Sequence, residues 1–315
     1  MTAGALRASV RSIALPAAAA LALAAGACAR HDHPGGDRFV PFAEIQGELQ
    51  PELANDAPPA APPSGTLRVV TYNVHYGADV AGLTAAFLDV PSLAAAGVVL
   101  LEEIDAHPGE GGTRASRLAS ALGMNHAFAP AWAYPDGGTH GLAVLSRWPI
   151  TSAGVLDLPY FELGSASERR IALRVTLQIG DRELVVIAIH LDTRINVNDR
   201  LTQLSSAVQL ADPSCVFGGD FNTLPFVWAG RYLPLLPQDA VAPVDVAGAV
   251  DQYMVNQGFL APTAHSGDTT NDSPPLPNFK IDSIYLRGYE ATGSAVERSA
   301  TVSDHFPLWV DVVWP

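Results

Sequence analysis

Several polar residues stand directly after short apolar runs along the chain. They are Asn73, Glu102, Glu103, His190, Asp220 and Asn222. In an α/β protein, strand ends collect catalytic groups because the loops there are free to vary. A single such residue is explained equally well as a turn or capping residue. A whole series is hard to explain by packing alone, and the pattern predicts a polar site along one edge of a sheet.

The residue types indicate which chemistry this site could support. Glu103 and Asp304, together with Asn73, offer hard oxygen ligands that suit Mg²⁺ or Mn²⁺ better than Zn²⁺. If a carboxylate, an amide and the histidines His190 and His305 meet in one cleft, they suit in-line hydrolysis of a phosphoester. In this hypothesis a carboxylate aligns or deprotonates water, and a histidine assists the leaving oxygen.

The triplet Ser303-Asp304-His305 allows a second interpretation, a Ser-His-Asp hydrolase. Adjacent residues in a strand point to opposite faces, so these side chains could not form that relay without an unusual bend. We therefore expect Asp304 on the metal side of the site and His305 on the phosphate side. Ser303 is expected only to shape the turn.

Short apolar runs predict the strands that must position these side chains. The runs are residues 67–72, 98–101, 141–145, 171–179, 184–189, 281–286 and 308–313. Thr113 is expected to cap one helix, and residues 199–210 are expected to form another. Continuous and alternating strands with interspersed helices favour an α/β sandwich over a purely parallel fold.

Composition excludes one broad class of partner. The chain has 315 residues, 48% of them hydrophobic, and a formal charge of −14 from 32 acidic and 18 basic residues. Such a protein has no general field that attracts polyanions, which argues against non-specific nucleic-acid binding. The excess of carboxylates suits a divalent-cation site, although an acidic surface also keeps an exported protein soluble.

The N-terminal segment predicts export. Two arginines precede the apolar run 13–27, which is shorter than the roughly 20 residues of a membrane span. The run ends in Ala25-Gly26-Ala27-Cys28, which resembles a bacterial lipobox except that Ala25 stands where leucine is usual. Residues 1–27 are therefore predicted to be a signal peptide, with a lipid anchor on an acylated Cys28 in the cell envelope. Plain secretion after ordinary cleavage is the alternative.

The segment after the signal peptide is rich in proline and alanine. Residues 28–65 are predicted to form a disordered tether, because they cannot bury enough surface to offset the entropy of ordering. Residues 66–315 are predicted to form one globular domain that carries the polar site. Cys215, in an apolar run, is expected to be a buried thiol.

Seven sequence blocks occur in a recognisable order over residues 66–315. They are Thr71-Tyr72-Asn73-Val74, Leu101-Glu102-Glu103-Ile104-Asp105, Gly141-Leu142-Ala143-Val144-Leu145-Ser146-Arg147, Ile189-His190-Leu191-Asp192, Gly219-Asp220-Phe221-Asn222-Thr223, Lys280-Ile281-Asp282 and Ser303-Asp304-His305-Phe306-Pro307-Leu308. Together they resemble the endonuclease/exonuclease/phosphatase superfamily, which has the deoxyribonuclease-I-like fold. The resemblance implies a four-layer α-β-β-α sandwich with two packed mixed, largely antiparallel sheets.

The resemblance also implies which residues bind metal and substrate. Asn73 and Glu103 would hold a catalytic Mg²⁺ or Mn²⁺, with Asp304 helping directly or through water. Asp220 would align and activate the attacking water, and Asn222 would contact the scissile phosphate.

Four further residues receive roles from the resemblance. His305 would polarise the phosphate, and Asp282 would orient it by a hydrogen bond that fixes the imidazole tautomer. His190 would be a general acid for the leaving group. Arg170 would stabilise developing charge on the substrate phosphate, although adjacent arginines are equally common at a surface.

The branch of the superfamily stays open. A histidine at position 190 resembles the deoxyribonuclease-I-like nucleases, sphingomyelinases and inositol-polyphosphate phosphatases, whereas Thr139 departs from the tyrosine of apurinic endonucleases. Glu102 stands where glutamine is usual. A nuclease should carry a basic stripe with aromatics, and a lipid phosphodiesterase an apolar loop, for which residues 226–228 and 232–237 are candidates.

The expected partner is thus a phosphoester substrate, either nucleic acid, a lipid head group or a small molecule. No obligate protein partner is evident. A non-catalytic envelope binding protein of the same fold is the least favoured hypothesis, because every expected site residue is present.

Overall fold

The computed structural model describes residues 51–161, 168–229, 233–237, 245–271 and 278–315. The helices are α1 (Val80–Asp89), α2 (Pro91–Ala94), α3 (Arg114–Leu122), α4 (Val197–Val208) and α5 (Val246–Asn256). The strands are β1 (Glu52–Ala54), β2 (Thr66–Tyr76), β3 (Ala96–Ala106), β4 (Asn125–Ala133), β5 (Thr139–Ser146), β6 (Ile150–Asp157), β7 (Ile171–Ile179), β8 (Arg182–His190), β9 (Cys215–Asp220), β10 (Phe226–Ala229), β11 (Leu233–Pro237), β12 (Asp282–Arg287), β13 (Ala291–Val296) and β14 (Leu308–Val313).

Two mixed sheets form the centre of the molecule. The seven-stranded sheet has the order β1-β4-β5-β3-β2-β14-β13, and the five-stranded sheet has the order β12-β9-β8-β7-β6. Each sheet contains one parallel pair, β2 with β3 and β8 with β9, and its other pairs are antiparallel. Strands β10 and β11 pair separately.

Alternation along the strands explains how the layers pack. In β7, Leu173, Val175 and Leu177 are fully buried between the two sheets, whereas Ala172 faces the helices on the other side. A second apolar cluster lies under α1, α2 and α3, outside the larger sheet, and a third lies under α4 and α5. Successive side chains of a strand point to opposite faces, so each sheet can pack on both sides. The predicted four-layer α-β-β-α sandwich is confirmed.

Side-chain caps set the helix starts. The Thr113 hydroxyl accepts a hydrogen bond from the Ser116 N–H and begins α3, as predicted. The second predicted helix starts earlier than residue 199, because the Asn196 side chain accepts from the Asp199 N–H and caps α4.

The site residues of the larger sheet do not stand at strand ends, which corrects the sequence prediction. Strands β2 and β3 continue past Asn73 and Glu103, but their pairing shifts register between Asn73 and Tyr76 and between Leu101 and Ile104. Such bulges re-aim side chains and bend the strand. The side chains of Asn73 and Glu103 therefore project from β-bulges within strands, not from strand ends.

The predicted tether does not extend to residue 65. Strand β1 pairs with β4, and Asn55 exchanges two hydrogen bonds with the main chain of Ile150. The Ala60 N–H donates to the Arg147 carbonyl, and the Trp148 indole donates to the Ala61 carbonyl. These contacts order the chain from residue 52 because each satisfies a main-chain group that a free tether would leave to water.

The predicted signal peptide and Cys28 lie outside the described residues. Within the described ranges, no helix has the length and apolar character needed to cross a membrane. Cys215 is buried and unpaired, as expected.

Candidate active site

Strand register in the smaller sheet brings three predicted site residues side by side. His190 at the end of β8 pairs in parallel with Asp220 at the end of β9. Asp282 at the start of β12 lies opposite the same Asp220 in the antiparallel pair. His305 approaches from the turn before β14, and its Nδ1 lies 2.9 Å from Oδ2 of Asp282.

Asp220 is the centre of this arrangement. Its Oδ1 accepts a hydrogen bond from the Asn222 N–H at 2.7 Å, and its Oδ2 accepts one from Nδ2 of Asn73 at 3.1 Å. The Nε2 atoms of His190 and His305 lie 3.5 and 3.9 Å from that same Oδ2. Asp220 is only 1% exposed. Both predicted histidines thus face one buried carboxyl group.

Gly219 is required directly before this carboxyl group. Its φ is +144°, and a Cβ atom there would lie 1.9 Å from the Ile189 carbonyl oxygen of the neighbouring strand. No side chain fits at that distance. The glycine therefore lets β9 approach β8 closely enough to set Asp220 beside His190.

His305 is placed to carry a positive charge. Burial alone would lower the pKa of its imidazole, but Asp282 outweighs it and, with Asp220 and Asp304, holds that pKa well above its ordinary value. The Nδ1–H donates to Asp282, which leaves Nε2–H directed at Asp220. The predicted orienting contact of Asp282 is present.

His190 has the opposite environment. Burial, the Arg170 guanidinium and neighbouring histidines lower the pKa of His190 well below its ordinary value. A guanidinium can only donate, so Nδ1 of His190 must accept from Nη1 of Arg170 at 3.1 Å. The imidazole is therefore neutral and carries its proton on Nε2. That Nε2 is buried and makes no hydrogen bond to any described residue.

Arg170 is not a surface residue. Its side chain is 8% exposed, and besides His190 it binds Glu168, to which Nη2 donates at 2.8 Å. Its predicted contact with a substrate phosphate stays a prediction.

Crowded carboxyl groups change their proton affinity here. Burial and the nearby Asp282 raise the pKa of Asp220 to about 7. Burial, and then repulsion from Asp282, also raises the pKa of Glu102 well above its ordinary value. Glu102 is fully buried and accepts a hydrogen bond from the Thr71 hydroxyl at 2.9 Å. A protonated carboxyl group both donates and accepts, as an amide side chain does.

The predicted metal ligands lie on the solvent-exposed side of the site, which we call its mouth. The side chains of Glu103 and Asp304 are 25% and 38% exposed, and Oε1 of Glu103 is 3.9 Å from Nε2 of His190. The Ser303 hydroxyl donates to the Asn73 carbonyl at 2.8 Å and contacts Oδ1 of Asp304, so it does more than shape a turn.

A second set of groups could also share a cation. Carboxylate oxygens of Asp220 and Asp282 and a ring nitrogen of His305 lie within 4.8 Å of one another, and Oδ1 of Asp282 is buried without a partner in the described part of the chain. Only the two carboxyl groups are candidate ligands here, because an imidazolium has no free lone pair for a metal. Hard carboxylate oxygens beside an unsatisfied buried oxygen fit a divalent cation. The site is therefore a possible divalent-metal site, and the assignment of Asn73, Glu103 and Asp304 as ligands stays a prediction.

Backbone strain is concentrated at this mouth. The described non-glycine residues with positive φ are His75, Tyr76, Glu103 and Asn222. Such conformations cost about 1–3 kcal/mol each and persist where the surroundings enforce them. Asn222 is held by its Nδ2, which donates to the Leu191 carbonyl at 2.9 Å.

Two buried polar residues beside the site were not predicted. Nδ1 of His140 donates to the Asp105 carboxylate at 2.8 Å, and His140 lines a small cleft with Arg170 and His190. Arg200 lies in the first turn of α4 and is 0% exposed. The sequence holds a signal for Arg200, because it is four residues before the inward-facing Leu204 and so shares its helix face.

The family model for the "Endonuclease/Exonuclease/phosphatase family" matches residues 70–305. The chain belongs to this family, whose members are hydrolases that act on phosphoester bonds. Among curated proteins, none matches the chain by sequence.

Solved structures with the same fold are distant in sequence. An endonuclease/exonuclease/phosphatase from Beutenbergia cavernae is 21% identical, with 79% of this chain and 72% of that chain covered and a TM-score of 0.61. D. rerio TDP2 complexed with single-strand DNA product is 16% identical, with 79% and 99% covered and a TM-score of 0.54. A mannosyl-6-phosphatase from Bacteroides thetaiotaomicron is 18% identical, with 79% and 100% covered and a TM-score of 0.53.

Replacing Asp220 by asparagine is expected to make the stability of the metal-free protein fall less between acidic and alkaline pH than it does in the wild type. Asp220 has a raised folded-state pKa of about 7, so the wild type loses stability as the pH rises from about 4 through 7. Asparagine does not titrate, so the free energy of unfolding of the variant relative to wild type should rise by at most about 4 kcal/mol between about pH 4 and pH 8. Chemical denaturation with a chelator present, at about pH 4 and pH 8, measures this difference.

Asp268→Asn, at an exposed position, serves as the control. An Asp220→Asn advantage that is equal at both pH values, or that is largest in acid, would contradict the assigned environment of Asp220.

Proposed function

We propose that the protein is a Mg²⁺- or Mn²⁺-dependent phosphodiesterase that acts outside the cytoplasm by in-line attack of an activated water. The observation that carries the proposal is the convergence of Nε2 of His190 and Nε2 of His305 on Oδ2 of Asp220, at 3.5 and 3.9 Å. A phosphoryl group bound here could accept hydrogen bonds from both imidazoles. The carboxyl group of Asp220 would then be close enough to deprotonate the attacking water.

Asp220 is the proposed general base. A base works best when its pKa lies near the operating pH, and the pKa of Asp220 is raised to about 7. The Asn222 N–H and Nδ2 of Asn73 hold its two oxygens in place, so the carboxyl group is oriented before substrate binds. Asp220 would take the proton of the attacking water.

The two histidines are proposed to differ in charge. His305, held by Asp282, would donate from Nε2 as an imidazolium to a phosphoryl oxygen. His190, which accepts from Arg170, would donate from Nε2 as a neutral imidazole. A neutral imidazole gives up a proton far less readily than an imidazolium. This favours His305 over the predicted His190 as the proton source for the leaving oxygen.

The residues proposed to hold the cation are Asn73, Glu103 and Asp304, and the carboxyl groups of Asp220 and Asp282 form a second candidate set. A bound divalent cation would offset negative charge on the phosphoryl oxygens. Within the chain, Ser303 supports this group by linking the Asn73 carbonyl to the Asp304 carboxylate.

The substrate is proposed to be a phosphodiester, with a nucleic acid as one version and a lipid or small phosphoester as the alternative. Proteins of this fold include one described with a DNA product and one described as a sugar phosphatase. The formal charge of −14 disfavours long polyanions held by charge alone.

The activity test uses the mature protein with bis-p-nitrophenyl phosphate. Hydrolysis is expected with Mg²⁺ or Mn²⁺ and should disappear after chelation. Asp220→Ala and His305→Ala should each lower kcat by at least about 100-fold, because each removes a group that acts on the reacting phosphate. A panel of plasmid DNA, RNA, sphingomyelin, phosphatidylinositol phosphates and nucleotides then identifies the leaving group.

His126→Ala is the matched control, since His126 is a buried histidine of β4 paired with Glu52 and lies opposite Leu145, at the far end of β5 from His140. Full activity after exhaustive chelation would refute the metal requirement. Near-native turnover in either site variant, with the fold intact, would refute the role given to that residue.

The proposed location is the bacterial cell envelope, through a lipid anchor on Cys28. The lipobox-like Ala25-Gly26-Ala27-Cys28 supports it, and residues 29–51 would link the anchor to β1. Cys28→Ser is expected to move the protein from the membrane fraction to the soluble fraction, as measured by fractionation and immunoblotting. Cys215→Ser is the control, because that thiol is buried. An unchanged distribution of the Cys28 variant would overturn the anchor.

A further inference from the structure

The guanidinium of Arg200 joins two loops inside the protein. Its Nη1 donates to the main-chain carbonyls of Asp192 at 2.7 Å and Phe221 at 2.9 Å, and its Nη2 donates to that of Ile195 at 3.0 Å. The side chain is completely buried. Three carbonyl groups that water cannot reach therefore depend on one arginine.

Both loops carry side chains of the candidate active site. The first leaves β8 at His190, and the second contains Phe221 between Asp220 and Asn222. Two more hydrogen bonds join them: the Leu191 N–H donates to the Asp220 carbonyl at 3.0 Å, and Nδ2 of Asn222 donates to the Leu191 carbonyl at 2.9 Å. Arg200 thus lies behind the place where the two loops meet.

Burying the charged guanidinium of Arg200 at this position costs free energy. No carboxylate of the described residues lies within 4.0 Å of its guanidinium, and its Nε is buried without a partner. Burial lowers the pKa of Arg200 to about 10, and the more distant Asp192 and Asp220 partly offset that effect. An apolar side chain of similar volume would avoid the cost of burying charge. The three hydrogen bonds are what an apolar side chain could not supply.

We propose that Arg200 is a positioning residue that fixes the His190 loop against the Asp220–Asn222 loop, so that their side chains meet at one phosphoryl group. The catalytic consequence rests on the proposed function, whereas the joining of the loops is a property of the folded chain. The hydrogen bonds of Arg200 go to main-chain carbonyls behind the two loops, so its loss should disturb the alignment of catalytic groups and lower turnover more than substrate affinity. Displacement of catalytic groups by about 1 Å can cost about 100-fold in rate.

The test compares Arg200→Lys, Arg200→Met and Arg287→Met in the whole mature protein. Lysine keeps the charge and part of the hydrogen bonding, so it tests the proposal even if the methionine variant fails to fold. Arg287 is the matched control, because it also donates to two main-chain carbonyls but pairs with Cys215, at the opposite end of β9 from Asp220. The measurements are kcat and KM with bis-p-nitrophenyl phosphate, and amide hydrogen exchange at Leu191 and Asn222.

We expect kcat to fall about tenfold in Arg200→Lys and about 100-fold in Arg200→Met, with KM within about twofold of wild type. Exchange at Leu191 and Asn222 should accelerate at least about tenfold in both variants and stay unchanged in Arg287→Met. Wild-type exchange rates in Arg200→Lys, or a turnover loss no larger than that of Arg287→Met, would overturn the proposal. If the wild type hydrolyses no phosphoester, the proposed function fails, and the exchange rates still decide whether Arg200 joins the loops.

Discussion

Buried carboxyl groups crowd together at the centre of this site, and their mutual repulsion constrains everything around them. Asp220, Asp282 and Glu102 are each at most 1% exposed, and Asp282 raises the pKa of both others. A buried cluster of carboxyl groups is stable only when bound protons or cations reduce its negative charge. Against the effect of burial, Asp282 raises the pKa of His305, and the raised pKa values of Glu102 and Asp220 make both groups hold protons more tightly than usual. A divalent cation would complete the balance, which links metal binding to the acid–base chemistry.

The sandwich meets this constraint through strand register. Parallel pairing of β8 with β9 and antiparallel pairing of β12 with β9 bring His190 and Asp282 to either side of Asp220. The larger sheet contributes Asn73 and Glu103 from bulges rather than from regular strand. Two stiff sheets thus present carboxyl and imidazole groups from opposite directions, with strain stored in a few residues at the mouth.

Much of this arrangement could be predicted from the sequence, because the polar residues follow apolar runs whose order matches a known family. The sandwich and the His305–Asp282 contact were predictable on that basis. The Arg170–His190 pair was not, because it joins residues whose contact depends on sheet register. The ordered segment from Glu52 was also missed, since its composition is that of a tether and only pairing with β4 orders it. Arg200 was missed because arginine is normally exposed on a helix.

The charge states of His190 and His305 decide the roles proposed for the two histidines. Nitrogen-15 NMR of the imidazole rings near neutral pH reports which nitrogens are protonated. We expect His305 to carry protons on both nitrogens, held by Asp282, and His190 to carry one on Nε2 alone, with Nδ1 accepting from Arg170. A neutral His305, or a His190 protonated on Nδ1, would contradict the proposed division of roles around Asp220.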